Sequence, residues 1–136
     1  MTKHTTQVPL EHTEDVILKE WCDLMQIDIW KIPQETYTTS WNQKRINKES
    51  GVRPGFSDAM VFLPSEKTGR KSGALLFIEM KRQRKILKNG KIGSSPSSVS
   101  ESQKDFLQKI DTVTNAQGRI CYGAEEATQF IESFLI

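Results

Sequence analysis

Two acids and a lysine, Asp58, Glu79 and Lys81, are spaced so that a hairpin would gather them. Residues 58–63 (DAMVFL) and 74–81 (ALLFIEMK) read as strands, and 64–73 (PSEKTGRKSG) as the turn region between them. Symmetric pairing about that turn makes opposed positions sum to 137, so Leu63 faces Ala74 and Asp58 faces Glu79. Directly opposed Cβ atoms lie about 4.5–5.5 Å apart. Two like charges at the end of a buried hairpin repel unless one is protonated or a cation sits between them. Glu79 and Lys81 share a strand face, and Met80 points the other way. A hard cation such as Mg²⁺ is held by oxygen ligands. It polarises a phosphate and lowers the pKa of a bound water. Lys81 would then position the attacking hydroxide or stabilise the developing phosphorane charge. A surface hairpin end closed by a salt bridge fits the same three residues.

The elements that must position this trio can be read along the chain. Residues 1–9 form a loose start, and 10–136 are long enough for one domain. Residues 10–26 predict a helix with the apolar stripe Leu10, Ile17, Trp21 and Leu24, widened by Val16, Leu18 and Met25; Trp21 is a core candidate, and Glu14 falls on the stripe. Residues 28–35 alternate as a strand that Pro33 would place at an edge or end. Residues 36–57 are polar, hold Gly51, Pro54 and Gly55, and read as a long loop. The nearly continuous apolar run of 74–81 fits a central strand buried on both faces. Residues 82–99 are basic and then rich in Gly, Ser and Pro, which predicts a flexible flap. A helix over 100–117 carries Gln103, Phe106, Ile110 and Val113, with Leu107 beside them and Gly118 as its stop. A short strand, 119–122, and a last helix, 124–135, using Ala127, Phe130, Ile131 and Phe134, close the chain. The order is α-β-β-β-α-β-α, an α/β domain with a mixed central sheet flanked by helices on both faces.

Composition narrows the chemistry. Of 136 residues, 36% are hydrophobic, and no apolar run approaches a membrane span. Only Cys22 and Cys121 are present, which disfavours a disulfide framework or a cysteine zinc site and points to an intracellular, cytoplasmic setting. The only histidines, His4 and His12, lie near the N-terminus, which argues against His-metal nucleases and Ser/His/Asp hydrolases. The net charge of +2 is uneven: residues 1–35 carry −4, residues 36–91 carry +9 and residues 92–136 carry −3. A positive middle between acidic ends suits a polyanion partner, although a solvated basic surface has the same composition.

The arrangement Gly55-Phe56-Ser57-Asp58, then Glu79-Met80-Lys81, then Gln103 resembles the PD-(D/E)xK nuclease superfamily, and within it a stand-alone VRR-NUC domain close to Holliday-junction resolvases. The likeness runs from about Glu14 to Leu135, and Ser57 stands where the family signature has proline. It implies a restriction-endonuclease-like core and a Mg²⁺- or Mn²⁺-dependent endodeoxyribonuclease with no nucleotide cofactor. On the matching positions Asp58, Glu79 and the Met80 carbonyl would bind metal, and Lys81 would be the catalytic lysine. Gln103 would sit beside the site, and Glu14 would add a carboxylate from the first helix. Ser100-x-x-Gln103 also reads as a capping box. Glu14 also suits the start of a helix, and Glu11 competes for its role.

Lys44, Arg45, Arg53, Arg82, Arg84, Lys85, Lys88 and Lys91 flank the trio on both sides and are candidates for DNA phosphate contacts. Trp41 could stack on an unpaired base, pack in the core or join a dimer contact. A homodimer would offer one site per strand of a branched junction such as a Holliday junction, and the last helix and Trp41 are the candidate contacts. A sequence-specific restriction-type endonuclease and a non-catalytic DNA-binding module remain as alternatives.

Overall fold

The structure, a computed structural model, describes residues 8–32, 40–51 and 53–136. Nine elements follow in order: α1 (Glu11–Leu24), β1 (Asp28–Lys31), α2 (Trp41–Glu49), β2 (Ala59–Leu63), α3 (Ser65–Thr68), β3 (Ala74–Lys81), α4 (Glu101–Ile110), β4 (Ala116–Tyr122) and α5 (Ala124–Glu132). The strands form one open mixed sheet in the order β1-β2-β3-β4. The β1/β2 and β2/β3 pairs are antiparallel and β3/β4 is parallel. The β2/β3 register runs from Leu63↔Ala74 to Ala59↔Ile78, as the symmetric pairing requires.

β3 is the central strand, buried along nearly its whole length. Its alternate residues Leu76, Ile78 and Met80 enter a core with Leu18 and Cys22 of α1 and Ala127, Phe130 and Ile131 of α5. The Leu, Ile, Met and Phe side chains among these each contribute about 1.5–3 kcal/mol on burial. The other face of β3 presents Phe77, which meets Phe56 and Phe106 edge to ring; the latter places α4 on this side. Helices therefore cover both faces, and Glu79 and Lys81 lie on the α4 face by alternation.

Several boundaries and faces differ from the sequence reading. α1 buries Glu14, Leu18 and Cys22, while Leu10, Ile17 and Leu24 face outward and Trp21 only packs partly against the core. Glu14 can turn inward because both its oxygens find donors there, so the apolar stripe does not set the helix rotation. β1 ends at Lys31, and the rest of the expected strand, including Pro33, lies outside the described residues. The expected loop 36–57 contains α2, held by local bonds: Ser40 Oγ accepts from Gln43 N at 3.2 Å and Gln43 donates to Asn47 at 2.7 Å. The turn region 64–73 holds the short α3.

α4 stops at Ile110 rather than at 117. Asp111, Thr112, Val113 and Thr114 are weak helix formers, and Asn115 turns the chain at φ 66°. Val113 is consequently exposed. Gly118 is not a helix stop but lies inside β4, where a Cβ would come within 2.6 Å of Leu107 Cδ2. The flap is not irregular throughout: it contains a β-bridge between Ile86 and Ile92. The apolar face of α5 is spent in the core, which removes it as a dimer contact.

Candidate active site

β2 begins at Ala59, and one step further along its register Asp58 stands opposite Glu79. Asp58 Oδ2 accepts from the Met80 amide at 2.8 Å. A strand residue directs its N–H and C=O to the same side, so the Met80 carbonyl also faces the Asp58 side. Lys81 alternates to the other side, where its carbonyl accepts from Gly123 N at 2.9 Å.

Glu79 is 2% exposed and Lys81 7%. The two oxygens of Glu79 are unequal. Oε1 accepts from Gln103 Nε2 at 2.7 Å and lies 3.3 Å from Lys81 Nζ. Oε2 is buried with no hydrogen-bond partner. Burial first, then the charge of Asp58, pushes the Glu79 carboxyl up to about 7, against the lowering pull of Lys81. Asp58 is also raised, chiefly by burial, while Lys31 and the Met80 amide pull it down and Asp15 and Glu11 push it up. Two neighbouring carboxylates short of positive charge and one orphaned buried oxygen fit a hard divalent cation. Among the described residues, no group of three or more His, Cys, Asp or Glu is placed to hold a metal. The oxygens gathered at this point are those of the acid pair, with the Met80 carbonyl on the Asp58 side.

Gln103 serves both roles that the sequence left open. Its Oε1 accepts from Ser100 N at 2.9 Å, completing a capping box, and its Nε2 holds Glu79. The approach of α4 depends on Gly55, whose φ is +102° and whose Cβ, were there one, would collide with the Ser102 carbonyl. That close contact lets residues 53–57 lead into Asp58.

Glu14 is buried among other partners. It is 1% exposed, accepts from Gln83 Nε2 at 3.0 Å and from the Ala124 amide at the start of α5, and bonds neither Asp58 nor Glu79. Glu11, its competitor, is nearer the acid pair in effect: its charge acts on Asp58 while its Oε1 accepts from Ser97 Oγ at 2.6 Å. Two residues escaped the sequence reading. Lys31 pairs with Asp15 at 2.7 Å, and both act on Asp58. The signals that could have found them are the one-turn spacing of Glu11 and Asp15 and the shared strand face of Ile29 and Lys31.

The basic candidates are not equivalent. Arg82 is committed inward, donating to the carbonyls of Pro9 at 2.9 Å and Val8 at 2.5 Å. Arg84 stacks over Tyr122 at 4.2 Å. Lys85, Lys88 and Lys91 are exposed, as are Lys44, Arg45 and Arg53. Lys44 lies 5.2 Å from the ring of Trp41, which is 84% exposed and so is no core residue. No helix among the described residues is long and apolar enough to cross a membrane. Compared with family models, curated proteins and solved structures, the chain matches none.

Proposed function

We propose that the chain is a Mg²⁺- or Mn²⁺-dependent endodeoxyribonuclease with a restriction-endonuclease-like core, selective for branched DNA such as Holliday junctions. The observation that carries this reading is the opposition of Asp58 and Glu79, with Glu79 Oε2 buried and lacking a donor while Lys81 stands two residues on. The bound cation would supply phosphate polarisation and a more acidic water. Asp58, Glu79 Oε2 and the Met80 carbonyl would hold it. Gln103 fixes the orientation of Glu79 through Oε1, as outer-shell partners do for ligating carboxylates. Lys81 Nζ, held beside Glu79, donates to the attacking oxygen or to the charge growing on the phosphate.

Homodimerisation would give one site per strand. Trp41 and the outward α1 residues Ile17 and Leu24 are among the exposed apolar groups that could form such a contact.

The test is a cleavage screen over junction, flap, single-stranded and duplex DNA with Mg²⁺, Mn²⁺ or Ca²⁺. Expected are cutting of the junction with Mg²⁺ or Mn²⁺ and binding alone with Ca²⁺. Asp58→Ala and Glu79→Ala should abolish cutting and largely spare binding, and Lys81→Ala should lose rate more than metal affinity. Normal cutting by either acid variant overturns the site. Cutting confined to one duplex sequence marks a restriction-type enzyme instead, and binding without cutting in any metal marks a non-catalytic module.

A further inference from the structure

One residue beyond Arg82 and Gln83, the chain leaves the sheet as a small antiparallel hairpin. Lys85 N donates to Ser94 O at 3.1 Å, Gly93 N to Lys85 O at 2.6 Å and Leu87 N to Lys91 O at 2.8 Å, with Gly90 N to Leu87 O closing the turn. The base is clamped to the rim of the acid pair. Ser95 Oγ donates to Arg82 O, Arg82 N donates to Ser97 Oγ, and Ser97 Oγ donates to Glu11. Leu87 lies over Gly93, where a Cβ would meet its Cδ2 at 3.0 Å. Ile86 and Ile92 are directly opposed and therefore share one face of the hairpin.

That face is uncovered: Ile86 is 75% exposed and Ile92 73%. A paired apolar surface left in water at the end of a ribbon gains by being covered. The surrounding charge says what could cover it. From residue 80 to residue 100 the chain carries six cations and no acid, and of these Arg84, Lys85, Lys88 and Lys91 are exposed. A partner must therefore offer anions and an apolar face within a few ångströms of each other. Nucleic acid does so wherever a base step is opened, and apolar side chains wedge into such steps. The five steps from Lys81 to Ile86 span at most about 18 Å, or about five base-pair steps at roughly 3.4 Å each. The hairpin and the acid pair would thus address one stretch of DNA.

We propose that the Ile86–Ile92 face wedges into an opened base step of branched or kinked DNA beside the hydrolysed bond, while Lys85, Lys88 and Lys91 hold the flanking phosphates. This rests on the nuclease reading and specifies its substrate as DNA with an exposed base face.

The experiment uses the full chain in Ca²⁺ and a four-way junction carrying 2-aminopurine at its centre. Binding is followed by anisotropy and unstacking by 2-aminopurine fluorescence. The wild type should bind and raise the fluorescence several-fold. Ile86→Ser/Ile92→Ser, whose folding is checked by an unchanged Tm, should bind comparably and leave the fluorophore quenched. Lys85→Gln/Lys88→Gln/Lys91→Gln should weaken binding by more than about tenfold, as lost phosphate contacts require. Binding without a fluorescence rise, or a rise that survives the double serine change, overturns the wedge. Anionic vesicles that outcompete the junction also overturn it and assign the face to a membrane. Unstacking with no cutting in Mg²⁺ or Mn²⁺ upholds the wedge and rejects the nuclease; cutting without unstacking does the reverse.

Discussion

Glu79 keeps its proton up to about pH 7, whereas an unperturbed glutamate releases it near 4.5. Between those values the folded chain binds a proton that the unfolded chain does not. Folding stability contributed by this group is therefore present at the acid side and is lost as pH rises through the window. Asp58, also raised, acts in the same direction. In EDTA, Tm should fall between pH 5 and pH 8, and Glu79→Gln should flatten that decline and raise Tm at pH 8. Calorimetry across the pH series checks this; a Glu79→Gln Tm below that of the wild type at pH 8 would contradict it. Asp58 and Glu79 were legible in the sequence because hairpin pairing is local arithmetic: the turn sets the sum and the sum sets the opposition. Lys31 and Asp15 were not, because their closeness to Asp58 depends on how α1 is rotated on the sheet; Glu11 was legible only as a rival of Glu14. That rotation is decided by Glu14, which reads as a surface acid until its donors on Gln83 and Ala124 are known.

Among the elements, α4 couples a local signal to the site. Its capping box makes one glutamine both a helix start and a clamp on Glu79. The two roles separate by substitution. Gln103→Ala should cost about 0.5–1.5 kcal/mol through the lost bond to Ser100 N and release Glu79 as well. Gln103→Glu keeps an oxygen that can accept from Ser100 N, yet it removes the donor to Glu79 and sets a third carboxylate against it, so Tm should fall more at pH 8 than at pH 5. Its pH–rate profile for junction cleavage should move to higher pH, and an unmoved profile would show that Gln103 acts only as a cap. β3, β2 and α5 were readable because their apolar runs are long and their faces unambiguous. α2 was not, since a helix with no buried residue has no stripe, and its formation rests on Ser40 and on short-range side-chain bonds. The end of α4 was misjudged because Val113 continued the helical spacing through residues that favour a turn.

For the molecule as a whole, the mixed sheet with helices on both faces followed from the pattern of elements, while the distribution of usable charge did not. Lys88 and Arg82 look alike in sequence, but Arg82 is occupied by the Pro9 and Val8 carbonyls and Lys88 is exposed. Lys88→Gln should reduce the slope of log K against log salt for junction binding by about 0.9, the value of one phosphate contact. Arg82→Gln should change that slope much less and lower Tm instead. Anisotropy titrations in a salt series distinguish the two, and equal slope changes would refute the distinction. The unpartnered oxygen of Glu79 also bears on how the chain would respond to selection. A campaign that enriches heat-resistant clones without asking for turnover should collect neutral replacements at position 79 early, because they relieve a conflict that only the proposed metal site requires. Robustness and activity would then be traded at a single codon.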